Sequence, residues 1–140
     1  GVSRMAFYRN YNVKEEVFSR KLDELVKQYW DTTAALVERG DLWYDLGHLT
    51  AFFEIMYENR KLVDSLFRCG FTWLLIQAIA GFLLDTWGNE TPEATYLLTG
   101  FAGFLCSCYE PWAEGGFKEE PRQMALLVNH FYRIPSERRK

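Results

Sequence analysis

Helical periodicity runs through nearly the whole chain, and the stretch over residues 14–38 constrains the fold most. Its apolar side chains fall at Phe18, Leu22, Leu25, Val26, Tyr29, Leu36 and Val37, with Thr33 neutral among them. This is the i, i+3, i+4, i+7 stripe of an amphipathic helix. Asn12 with Glu15 three residues on reads as a capping box, and Gly40 is placed to end the helix. About 25 residues make roughly 37 Å of helix. A stripe that long must be covered by other helices.

The rest of the sequence supplies them. A second helix is expected over residues 45–58 and a short one through Leu62, Val63, Leu66 and Phe67, closed by Cys69-Gly70. Residues 71–85 are apolar on nearly every side, which predicts burial on nearly every side. Turn residues mark a loop at 87–92. Thr91 or Thr95 then caps a helix through about Trp112, which Gly115-Gly116 breaks. Pro121 suits the first turn of a last helix with Met124, Leu127, Val128, Phe131 and Ile134 on one face, followed by a charged, frayed tail. No alternation of four or more residues survives as a strand, and there are no repeats. The expected class is all-α: six helices plus a short one over residues 4–10.

Composition narrows the function classes. Of 140 residues, 49% are hydrophobic and 25% charged, a globular mixture. The 17% aromatic share implies a large core or a ring-lined pocket. A net charge of −3 does not favour nucleic acid, so any DNA contact must come from a local basic patch. Cys69, Cys106 and Cys108 are too few and odd for a disulfide framework. The apolar runs 71–84 and 96–109 are short of the roughly 20 residues a bilayer needs. The opening residues lack the apolar core of a signal peptide. The expectation is a soluble, cytoplasmic protein.

The opening 17 residues, GVSRMAFYRNYNVKEEV, concentrate basic and aromatic side chains. Ser3 caps a short helix, a turn is expected at Tyr11-Asn12, and Lys14 begins the long helix. Arg4 has the fork that pairs with guanine edges, Tyr8 offers a hydroxyl to phosphate, and Lys14 a charge near a helix start. This segment resembles the end of the DNA-binding domain of the TetR/AcrR family of transcriptional regulators. There a glycine-valine-serine turn leads into a recognition helix, then an aromatic-tyrosine-basic-x-aromatic run, here Phe7-Tyr8-Arg9-Asn10-Tyr11, then a lysine-glutamate pair, here Lys14-Glu15. The segment 110–131, with Trp112, a glycine turn and a closing amphipathic helix, resembles the family's C-terminal pattern more loosely. Two positions depart from it: Val13 where a small polar residue is usual, and Tyr11 where phenylalanine is commoner. The sequence begins at the turn of the helix-turn-helix, so about a third of a DNA-reading head is not in it, and operator binding by this stretch is expected to be poor.

The resemblance implies that residues 1–12 end a DNA-binding head, with contacts from Ser3, Arg4, Tyr8 and Lys14. Residues 13–140 would form an effector-binding, dimerising bundle. Ligand binding would shift the connecting helix and change operator binding, most simply as a repressor. Ring-bearing pocket candidates are Trp30, Phe53, Tyr57, Phe67, Trp73 and Phe82, with ordinary core as the alternative for each. His48, Thr50, Glu54 and Gln77 are the polar candidates. Glu54, within AFFEIMY, must be exposed, paired or in a polar cavity. For a homodimer face, Gly100, Gly103 and Ser107 recur at spacings of three and four beside Phe101 and Phe104, and the last helix adds Met124, Leu127, Val128 and Phe131.

No enzyme, metal site or cofactor is expected. Cys106 and Cys108 point about 200° apart on a helix, and no nucleophile elbow or phosphate-cradling loop occurs. The competing class is an all-helical dimeric protein-interaction module without DNA binding.

Overall fold

The computed structural model describes residues 3–133. They form six α-helices: α1 Arg4–Glu38, α2 Leu46–Glu58, α3 Arg60–Arg68, α4 Thr72–Trp87, α5 Pro92–Glu114 and α6 Pro121–Arg133. The all-α class is as expected, and no strand occurs among the described residues. Gly1, Val2, Ile134 and the charged tail lie outside them.

One expectation about α1 fails. The turn at Tyr11-Asn12 does not form, and the short and long helices are a single one of 35 residues. Nothing in Tyr11-Asn12-Val13 breaks a helix, since each costs only a few tenths of a kcal/mol relative to the best formers. Asn12 therefore caps nothing. The cap is Ser3, whose Oγ accepts from the Ala6 N–H at 3.2 Å. Gly40, at φ +94°, ends the helix as anticipated.

α1 and α4 run side by side in the same direction. The Phe18 ring meets Phe71, and eleven residues later in each helix the Tyr29 ring meets Phe82. Eleven residues are almost three whole turns, so the facing stripe keeps its register. α2 packs on α1 and antiparallel to α6: Tyr44 stacks on Tyr132, and Asn129 donates to the Tyr44 carbonyl at 3.0 Å. At the far end Tyr57 packs on Phe117, just ahead of α6. α4 and α5 form a hairpin, and Thr91 caps α5 through the Ala94 N–H.

Leu22, Leu49, Phe53, Met56, Leu75 and Tyr109 form the centre of the core. Phe117 holds the left-handed conformation, φ 55°, among the rings of Tyr57, Tyr109 and Trp112. That backbone state costs of order 1–3 kcal/mol for a bulky residue, and the ring packing offsets it. α4 is less buried than its composition predicts. Leu74, Leu75, Ala80 and Leu83 face inward, but Trp73 is 40% exposed and Gln77 faces solvent. An all-apolar run does not disclose which side the neighbouring helices will cover. No helix among the described residues is long and apolar enough to cross a membrane.

Candidate ligand cleft and surrounding surfaces

A narrow apolar cleft of about 40 Å³ lies in the middle of the bundle. α1 contributes Leu25, Val26 and Tyr29; α2 contributes Leu49, Phe52, Ile55 and Met56. α4 adds Ala78, Ile79, Phe82 and Leu83, and Trp43, Phe101 and Leu105 complete the wall. The stripe of α1 supplies one side because 25, 26 and 29 lie on its core-facing edge.

Of the ten pocket residues expected from sequence, only Phe82 lines this cleft. Phe53 is fully buried against Phe52 and Trp112, so it is core. Glu54 takes the one outward position in AFFEIM and is exposed, so no buried carboxylate selects a ligand there. Tyr57 lies at the surface with the Arg60 guanidinium 4.3 Å from its ring centroid. Phe67 stacks on Tyr109, and Trp73 sits beside Phe71 near the start of α4. Sequence reasoning passed over Tyr29, Trp43, Phe52 and Phe101. Only Tyr29 carried a signal, as part of the α1 stripe.

Trp30, Gln77 and Phe82 do come together, outside the cleft. They line a groove of about 560 Å³ along the α1–α4 seam with Asp23, Val26 and Val37 of α1 and Ala78, Gly81, Asp85 and Thr86 of α4. Val26, Ala78 and Phe82 belong to both spaces and form the wall between them.

His48 is fully buried behind the cleft, edge-on to Trp87 with ring centroids 4.9 Å apart. Its Nδ1 lies 3.3 Å from the Tyr29 hydroxyl, which is also 3.2 Å from the His48 carbonyl. One phenolic hydrogen cannot serve both. The arrangement leaving least unsatisfied has Tyr29 donating to the carbonyl and His48 Nδ1–H donating to Tyr29. Nε2 is then a bare acceptor without a partner among the described residues, cheaper than an orphaned N–H. Burial lowers the imidazole pKa, with Asp41 and Asp45 opposing. Burial also pushes the Tyr29 phenol up, so it remains a neutral donor.

The proposed DNA-contacting side chains all lie on the first half of α1. Ser3, Arg4, Tyr8 and Lys14 are exposed, and Tyr8 is 59% so. In the continuous helix Arg4 and Tyr8 are about 40° apart, with Lys14 about 80° from Arg4 on the other side. The hydroxyl of Ser3 is occupied as the cap.

The residues expected at a dimer face divide. Phe101 and Val128 are buried within this chain, and Met124 is half-buried. Gly100, Phe104, Ser107, Leu127 and Phe131 are exposed, joined by Leu97 on α5 and Leu126 on α6. A Cβ added at Gly100 or Gly103 would meet nothing within 4 Å among the described residues.

Burial raises the Cys106 thiol to about 12 and also raises Cys108, so neither is a ready nucleophile. Among the described residues no group of three or more His, Cys, Asp or Glu side chains comes together to hold a metal ion. No family model matches the chain, and neither a curated protein nor a solved structure matches it.

Proposed function

We propose that this chain is the effector-binding and dimerising part of a ligand-responsive transcriptional regulator of TetR type, acting as a repressor. The observation that carries the reading is the continuity of α1. One uninterrupted helix presents Arg4, Tyr8 and Lys14 at its exposed end and Leu25, Val26 and Tyr29 at the wall of the cleft. Tyr8 and Tyr29 are 21 residues apart on it, about 31 Å. A tilt of about 5° at the cleft therefore moves the exposed end by about 3 Å, given the same helical rise.

The cleft at 40 Å³ is far smaller than the roughly 150 Å³ that holds benzene in a protein core. An effector must open it, and the ligand then favours the opened arrangement by differential affinity, as ligand control of DNA binding requires.

A homodimer brings two such helices together. The exposed α5–α6 face supports it, because Gly100 and Gly103 have no packing reason among the described residues, and glycine weakens a helix by about 1 kcal/mol each. The helical partner they admit is a second copy of the same face.

The test is DNA binding by the intact gene product. Tyr8→Phe and Lys14→Ala should weaken binding across all sequences, as loss of phosphate contacts does, and Arg4→Ala should relax sequence preference. Unchanged affinity in all three would refute the DNA-binding role. The second reading, a dimeric protein-interaction module, is favoured by the apolar side chains exposed at the same end of α1: Met5 at 72%, Phe7 at 61% and Val13 at 57%. It predicts no DNA affinity beyond non-specific charge attraction.

A further inference from the structure

The groove over the α1–α4 seam has a composition unlike the cleft behind it. Its only charged lining residues are Asp23 and Asp85, with no Lys, Arg or His among them. Neither carboxylate is ion-paired among the described residues, where the one salt bridge joins Arg39 and Asp41. Because α1 and α4 are parallel with Trp30 opposite Phe82, Asp23 lies about two turns before that level and Asp85 about one turn after it. Trp30, 44% exposed, stands between the two acids.

Gly81 sits mid-helix on the groove wall, and a Cβ there would meet nothing within 4 Å among the described residues. That position is left open although alanine would favour the helix. Phe82, half-buried and shared with Val26 and Ala78 between the two spaces, is the side chain that separates groove from cleft.

We propose that the groove is the head-group site and entry of the effector, and that the effector is an amphipathic organic cation. Its positive centre sits over Trp30 between the two carboxylates, and its apolar tail passes Phe82 into the cleft. Cations are held by indole faces and by unpaired carboxylates, and the cleft offers nothing but apolar surface beyond one phenol already bonded to His48. This rests on the reading of the cleft as the effector site.

Calorimetric titration with decyltrimethylammonium, decanol and decanoate, which share one tail and differ in charge, tests it. The expected order at low salt is cation tightest by at least tenfold over the alcohol, with decanoate weakest. Asp23→Asn with Asp85→Asn should bring cation and alcohol to parity. Gly81→Leu should weaken the cation at least tenfold without lowering the melting temperature, because the site is open and leucine favours the helix. Equal binding of cation and alcohol in the parent chain overturns the cationic assignment while leaving an effector cleft standing. Binding unaffected by Gly81→Leu overturns the groove as the entry. No binding of any of the three overturns the inference for this ligand class, and leaves the DNA test above to decide the regulator reading.

Discussion

Between Arg4 and Val17, α1 buries no side chain; between Phe18 and Val37 it buries Leu22 and Thr33 and half-buries Leu25, Val26, Tyr29, Leu36 and Val37. The two halves share one backbone and are held by different forces. The first stands on local terms, a Ser3 cap and residues that tolerate helix, with Tyr11 against Phe71 as its ring contact with the bundle. The second stands on the removal of an apolar stripe from water. A helix that is packed at one end and free at the other transmits motion from a core to a surface, and that asymmetry is what the proposed function uses.

The comparison can be broken by paired substitutions. Leu22→Ala should cost about 2–5 kcal/mol in chemical denaturation, since it leaves a cavity at a fully packed site. Val13→Ala, on the free half, should change stability by less than about 0.5 kcal/mol. Similar losses at both sites would mean that the first half is packed in solution.

Gly103→Leu should convert a dimer to a monomer in native mass spectrometry at tens of micromolar, with the monomer's fold intact because the site is open within the chain. A parent chain that is already monomeric there would remove the α5–α6 interface.

A smaller effect is expected from pH. The folded His48 pKa is lowered, chiefly by burial, below its unfolded value near 6.5. The unfolded chain then binds the proton more readily, so this contribution is complete above about pH 6.5 and is lost as pH falls through the folded value. Denaturation midpoints should drop between pH 7 and pH 5 more steeply for the parent than for His48→Gln. Equal slopes would show that His48 is not the group responsible.

A local effect belongs to the cap. Ser3→Ala should cost about 1 kcal/mol locally, seen as faster amide exchange in the first turn of α1 and not as a shift in global melting.

Much of the fold was legible because it is written in local chemistry. The α1 stripe, Gly40, Thr91, Gly115-Gly116 and Pro121 mark their elements by periodicity, capping and backbone preference. The site was not, because a cleft is made by residues distant in sequence. Phe52 and Phe53 are adjacent and both aromatic, yet one lines the cleft and the other fills the core. In α4, Trp73, Gln77 and Phe82 lie in one continuous apolar run, yet Trp73 sits beside Phe71, Gln77 lines only the outer groove and Phe82 lines both groove and cleft. His48 was a polar pocket candidate, and its burial beneath Trp87 goes with a long-range contact, Trp87 Nε1 donating to the Asp41 carbonyl at 3.3 Å. The Tyr11-Asn12 turn was read from Asn12 as a cap with Glu15 three residues on, against a local sequence that continues the helix.

The proposed regulator needs the exposed end of α1 as a DNA-reading surface. The direct measurement is an equilibrium titration of the intact gene product against DNA fragments from upstream of its own gene, at several salt concentrations. Saturable, sequence-specific binding that weakens with salt and is reduced by Lys14→Ala is the predicted result. Binding that shows no sequence preference at any salt concentration, or that Lys14→Ala leaves unchanged, would contradict it.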